Sequence, residues 1–176
     1  MSLFDKTKYF KHLMMLFSGT AIAQVFNFAS YPFLTRIYSP DDFGIFTIFL
    51  TVVLITSAVS CARFDAIVTI SKSYERITVY KISILLNLFI SIFIGLTAFL
   101  ISNFFDSLLS LLLGISVFLT AFNVSTSFLL LKHDGYGLNS TSLVIKSAFT
   151  AVPQILLFFV FKDAFGLIIG FVAGCM

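Results

Sequence analysis

Tryptophan is absent from this 176-residue chain, and charge is scarce: 11% of residues are Asp, Glu, Lys or Arg, against about 25% in a soluble domain. So little polar surface cannot cover a water-soluble core. Only two cysteines are present, Cys61 and Cys175. Both lie in apolar stretches with no spacing suited to a metal or a disulfide framework, and they read as thiols buried in a membrane. His12 and His133 are single residues in polar flanks and offer no metal geometry. No Walker loop, nucleophile elbow or zinc motif occurs, so ATP hydrolysis and acyl transfer have no support. The chain is not expected to be an enzyme, and no catalytic residue, metal or cofactor is assigned. Its eleven basic residues form no single patch, which argues against nucleic acid as a partner.

What the chain does have is apolar length. Hydrophobic residues make up 59% of it, with 24 Phe, and runs of about 20 apolar residues suffice to cross a bilayer's hydrocarbon core. The expected fold is an all-α membrane protein with six spans, at 13–34, 43–70, 82–102, 107–131, 140–161 and 164–176. Pro40 followed by Asp41 and Asp42 is a helix-start signal, with either acid able to cap unpaired N–H groups. Pro153 falls inside the fifth span as an expected kink. The sixth run ends after 13 residues, too short to cross, and predicts an incomplete span. Lys6, Lys8 and Lys11 before an apolar stretch, with Ala21-Ile22-Ala23, also resemble a secretory leader. The run before that point is only five residues long, however, and continues past it to Leu34, so a first span is the better reading.

Basic residues alternate between the connections. Lys6, Lys8, Lys11, Arg63, Lys72, Arg76, Lys81, Lys132 and Lys146 fall on one side, and Arg36 and Lys162 on the other. The positive-inside rule then places the N-terminus in the cytoplasm.

Polar side chains recur at helical spacing in four spans. They are Thr20, Gln24, Asn27, Tyr31 and Thr35 in the first; Ser83, Asn87 and Ser91 in the third; Ser116, Thr120, Asn123 and Ser127 in the fourth; and Ser147, Thr150 and Gln154 in the fifth. A polar group facing lipid is costly, so each stripe must meet another helix or a wet cavity. Any one stripe can be hydrogen-bonded glue between helices. Four together point to a shared polar interior. Gln24 and Asn27 stand out because amides are the costliest of these groups to leave unpaired.

Arg63 and Asp65 carry charge within the second apolar run. If the helix continues to Ile70, Arg63 sits roughly 10 Å inside its end. Two residues apart, the pair points in nearly opposite directions, so each needs its own partner or water. A substrate pathway and an interfacial anchor both fit. Arg36, at the end of the first span, likewise reads as an interfacial anchor or a cavity residue. Tyr9, Tyr31, Tyr38, Tyr74 and Tyr80 lie mostly near span boundaries, as interfacial aromatics do.

Ser18-Gly19-Thr20-Ala21-Ile22-Ala23-Gln24 and the stretch from Pro32 to Gly44 (Pro-Phe-Leu-Thr-Arg-Ile-Tyr-Ser-Pro-Asp-Asp-Phe-Gly) resemble the opening of the polysaccharide transporters. These include the O-antigen flippases of the multidrug/oligosaccharidyl-lipid/polysaccharide exporter superfamily. Ala62-Arg63-Phe64-Asp65-Ala66-Ile67-Val68 resembles the end of that family's second span, and Phe165-Gly166-Leu167-Ile168-Ile169-Gly170 its sixth. The resemblance implies one lobe of a two-lobe, MATE-like transporter of about twelve spans in a bacterial inner membrane. The implied substrate is a polyprenyl-diphosphate-linked oligosaccharide, moved outward for O-antigen or other surface polysaccharide synthesis. On that carry-over Arg63 and Arg36 contact the anion, Gln24 and Asn27 line the path, and Asp65 couples protons or balances charge. The implied partners are membrane lipids, a C-terminal half and polysaccharide assembly proteins. Competing readings are a small-molecule exporter of the same superfamily, which would want a more acidic cavity, and an inactive fragment or membrane scaffold with no wet cavity. A membrane glycosyltransferase would want acidic residues on an external loop, where Asp41 and Asp42 are explained by helix capping.

Overall fold

A computed structural model of the chain describes residues 3–60, 67–68, 70–71, 73–101, 107–132, 135–159, 161 and 163–176, with side chains from residue 10 onward except at 73 and 74. Six helices follow one another: α1 (Leu3–Ile37), α2 (Pro40–Ser60), α3 (Ser73–Leu100), α4 (Ser107–Lys132), α5 (Tyr136–Phe158) and α6 (Ala164–Cys175). No strand occurs among the described residues. Five of the helices are long and apolar enough to cross a membrane, and the sixth is a shorter apolar helix. This is an all-helical, multi-pass membrane protein.

The helix ends differ from the expected span ends. α1 begins ten residues before Leu13, α3 begins at Ser73 rather than at 82, and α5 begins at Tyr136 rather than at 140. Hydropathy marks the part of a helix that meets hydrocarbon. The backbone continues helically into the polar interface, where Glu75 and Arg76 do not prevent a turn. The start of α2 is as expected in kind and specific in detail. Ser39 and Asp42 form a reciprocal capping box: the Asp42 N–H donates to Ser39 Oγ at 3.2 Å, and the Ser39 N–H donates to Asp42 Oδ2 at 3.3 Å. Pro40 takes the first helical position, where its missing N–H costs nothing.

α1 packs along α5, α5 along α6, and α3 along α4, while α4 also meets α2 and α6. Val53 of α2, Val117 of α4, and Leu167 and Ile168 of α6 are fully buried at the centre. Phe17, Phe28, Ile55, Phe89 and Leu100 point outward, as residues solvated by lipid should. Lipid is as apolar as leucine, so close packing rather than water exclusion holds these helices together. Small residues allow it. Gly95 and Gly114 bring α3 and α4 into backbone contact, and Gly170 and Gly174 seat α6 against Gln154 and Thr150 of α5.

Candidate functional site

Two of the four polar stripes converge. Thr20, Gln24, Asn27 and Tyr31 of α1 and Ser147, Thr150 and Gln154 of α5 line one cleft of about 330 Å³, together with apolar residues that include Leu34 of α1, Leu143 of α5, Phe43, Phe46 and Leu50 of α2 and Phe171 of α6. Ser30 of α1 and Lys146 of α5 also line it. No carboxylate is found among its described lining residues.

The lining hydroxyls spend their donors locally. Thr20 donates to the Leu16 carbonyl at 2.9 Å, Ser30 to Phe26 at 2.7 Å, Ser147 to Val144 at 2.8 Å and Thr150 to Lys146 at 2.7 Å. Each oxygen keeps acceptor capacity toward the cleft. Gln154 donates its amide N–H to the Leu167 carbonyl at 3.1 Å, which fixes the side chain. Gln24 and Asn27 make no side-chain hydrogen bond to another described residue. An amide left unpaired in a membrane span is costly, so each needs a partner from water, a ligand or another helix.

Lys146 is the residue the charge count misplaced. Grouped with the cytoplasmic connections, it instead lies ten residues into α5, about 15 Å along the helix, and it lines the cleft. The signal was present in the sequence, because position 146 lies inside the expected fifth span and a cation within a span is functional by default. Lys146 has no ion-pair or hydrogen-bond partner among the described residues. Arg36 is exposed in the last turn of α1 and is not among the cleft-lining residues. Arg63 and Asp65 lie outside the described residues.

The other two stripes do not reach this cleft, so the expectation of one interior shared by four stripes is corrected. Ser83 of α3 meets Ser125 of α4 at 3.3 Å, and Asn87 donates to the Phe118 carbonyl at 3.0 Å. Asn123 of α4 donates to the Cys175 carbonyl at 2.8 Å, capping the end of α6, and Thr120 lies 3.8 Å from the Cys175 thiol. These stripes join helices. Spacing alone cannot separate glue from conduit, because both need polar groups on one helix face.

α1 and α5 are joined beyond each end of the cleft. At the N-terminal end of α1, His12 stacks on Tyr136 with ring centres 4.5 Å apart, and Ser140 donates to the Met15 carbonyl at 2.9 Å. Gly19 leaves room for the Ser140 side chain there. At the far end Tyr38, 4% exposed, donates to the Gln154 carbonyl at 2.9 Å. Burial holds the Tyr38 phenol above its ordinary value near 10, and the Asp42 carboxylate adds to the shift.

Compared with protein-family models, curated proteins and solved structures, the chain matches none.

Proposed function

We propose that this chain moves a polyprenyl-diphosphate-linked oligosaccharide across a bacterial plasma membrane, supplying one wall of the path for O-antigen or other surface polysaccharide synthesis. The observation that carries this reading is the composition of the cleft: amides and hydroxyls from α1 and α5 facing one another, with a single ammonium and no acid among the described lining. Amides and hydroxyls match the donors and acceptors of sugar hydroxyls. An ammonium at bilayer depth is suited to phosphate oxygens. Lys146 supplies a cation in the cleft, in addition to Arg63 and Arg36, to which the resemblance assigns contact with the anion. A cation exporter would want carboxylates in the same place, so the lining favours the sugar carrier. On this reading the end bearing Lys11 and Lys132 faces the cytoplasm.

Binding to the purified chain tests the reading directly. Polyprenyl diphosphate is expected to bind, polyprenol to bind far more weakly, and Lys146→Ala to weaken diphosphate binding by about tenfold or more, the size of one lost charge-assisted hydrogen bond. Lys146→Arg should retain most of it. Equal binding of the alcohol and the diphosphate, or an unaffected Lys146→Ala, refutes the assignment. A flippase-deficient strain supplied with the chain and a complementary second lobe should recover surface polysaccharide, and lose it again with Lys146→Ala.

A further inference from the structure

The turn between α1 and α2 is fastened to the turn between α5 and α6 by bonds between residues far apart in sequence. Asp42 Oδ1 accepts the N–H of Ala164, the first residue of α6, at 3.0 Å. The other carboxylate oxygen accepts the Ser39 hydroxyl at 2.6 Å within the capping box. One side chain therefore serves two helix starts. The first N–H groups of α6 have no acceptor inside their own helix, and Asp163, which precedes them, makes no side-chain cap of its own. Asp42 supplies that cap from α2. Just beneath it, the Tyr38 hydroxyl donates to Gln154, and Gly166 is the residue that admits it, since a Cβ there would lie 2.5 Å from the phenol oxygen.

α1 is held at the two ends of the cleft in different ways. At the His12 end, α1 and α5 lie against each other through a ring stack and the tight Gly19–Ser140 approach. At the Tyr38 end the Tyr38 ring packs on Phe43 and Phe158, and bonds from the α1–α2 turn to α5 and α6 add to that packing. A path that exposes its contents to one side at a time needs an end that opens without unpacking the bundle. The part-buried Asp42–Ala164 bond, made from the first turn of α2, can exchange for water, whereas helix packing cannot be replaced so cheaply.

We propose that the Asp42–Ala164 bond is a latch that closes the Tyr38 end of the cleft, and that its release lets the α1–α2 turn lift from the α5–α6 turn and expose the cleft on that side. The proposal rests on reading the cleft as a transport path and identifies what shuts it.

The test uses the full chain in sealed vesicles, with both native cysteines replaced by serine and Ser30→Cys as the reporter in the cleft wall. A membrane-impermeant thiol reagent is applied from each side in turn, without substrate. The parent is expected to label slowly from the Tyr38 side. Asp42→Ala and Ala164→Pro should each raise that rate by about tenfold or more, as loss of a local closure does. The double variant should rise no further, because both changes break one bond, and the rate from the His12 side should not rise. Proline suits the first position of a helix, and Asp163 before it is already extended at φ −116° and ψ 174°, so Ala164→Pro removes the N–H with α6 retained. Parent-level labelling in Ala164→Pro overturns the latch. A rise in Asp42→Ala alone also overturns it, because that reports a lost α2 cap. If Asp42→Ala fails to insert, Ala164→Pro decides alone. Binding of the polyprenyl diphosphate is measured separately, so a wrong cargo and a wrong latch give different results.

Discussion

Single residues set the chemistry of this molecule, and Tyr38 shows how tightly. Its hydroxyl has one acceptor, the Gln154 carbonyl, and its ring meets Phe158 edge-on at 5.1 Å. Tyr38→Phe keeps the ring and removes the bond, and is expected to cost about 1 kcal/mol, read as a lower thermal midpoint in detergent. The pH dependence has a definite sign. Because the folded phenol is held above its ordinary value by burial and by the Asp42 charge, the neutral form is the stabilising one. Its contribution is fully present below the ordinary value near 10 and is lost as pH rises through the raised value. A spectrophotometric titration should show a late phenolate step that Tyr38→Phe removes. Tyr38 was legible only as a boundary aromatic, because its partners lie over a hundred residues away. Gln24 and Asn27 were legible as cleft residues because helical periodicity places them beside Thr20 and Tyr31. Lys146 was hidden by the charge count itself, which assigns every cation to a side and has no place for one in the middle.

At the scale of elements, hydropathy located each helix and misjudged its ends, since the signal reports hydrocarbon and not backbone. It also could not say which helices touch. The α5–α6 contact depends on Gly170, where a Cβ would stand 2.7 Å from the Gln154 backbone nitrogen. Backbone cannot yield as a side-chain tip can, so Gly170→Ala should destabilise the protein by about 1–3 kcal/mol and disturb the Gln154 wall of the cleft. Gly44, in the second turn of α2, has nothing within 4 Å of its Cβ position. Gly44→Ala should stabilise by about 0.4–1 kcal/mol through the unfolded chain. Thermal midpoints of the two variants, moving in opposite directions, check both. The stripes of α3 and α4 are visible in the sequence as polar, which fits glue between helices as well as a share in a common interior. Their partners, such as the Phe118 and Cys175 carbonyls, are backbone groups with no signature in a residue pattern.

Across the whole molecule, the alternation of basic residues predicts which turns share a side, and the packing agrees on which ends meet. His12 lies against Tyr136, which puts the start of α1 and the start of α5 together, with Lys11 and Lys132 at that end. A reporter enzyme active only outside the cytoplasm is expected to work when fused at Ser39 and to be silent when fused at Gly135. The reverse result would invert the orientation proposed here.

α1 is pinned to its neighbours near Met15 and again at Tyr38, with the cleft between the pins. A rod held at both ends resists bending, but the same rod released at one end becomes a lever. The arm from Met15 to Tyr38 is about 35 Å, so a tilt of about 10° swings its far tip by about 6 Å. On the latch proposed above, losing the bonds that hold this tip to α5 and α6 frees a displacement of that size, while the fulcrum moves hardly at all.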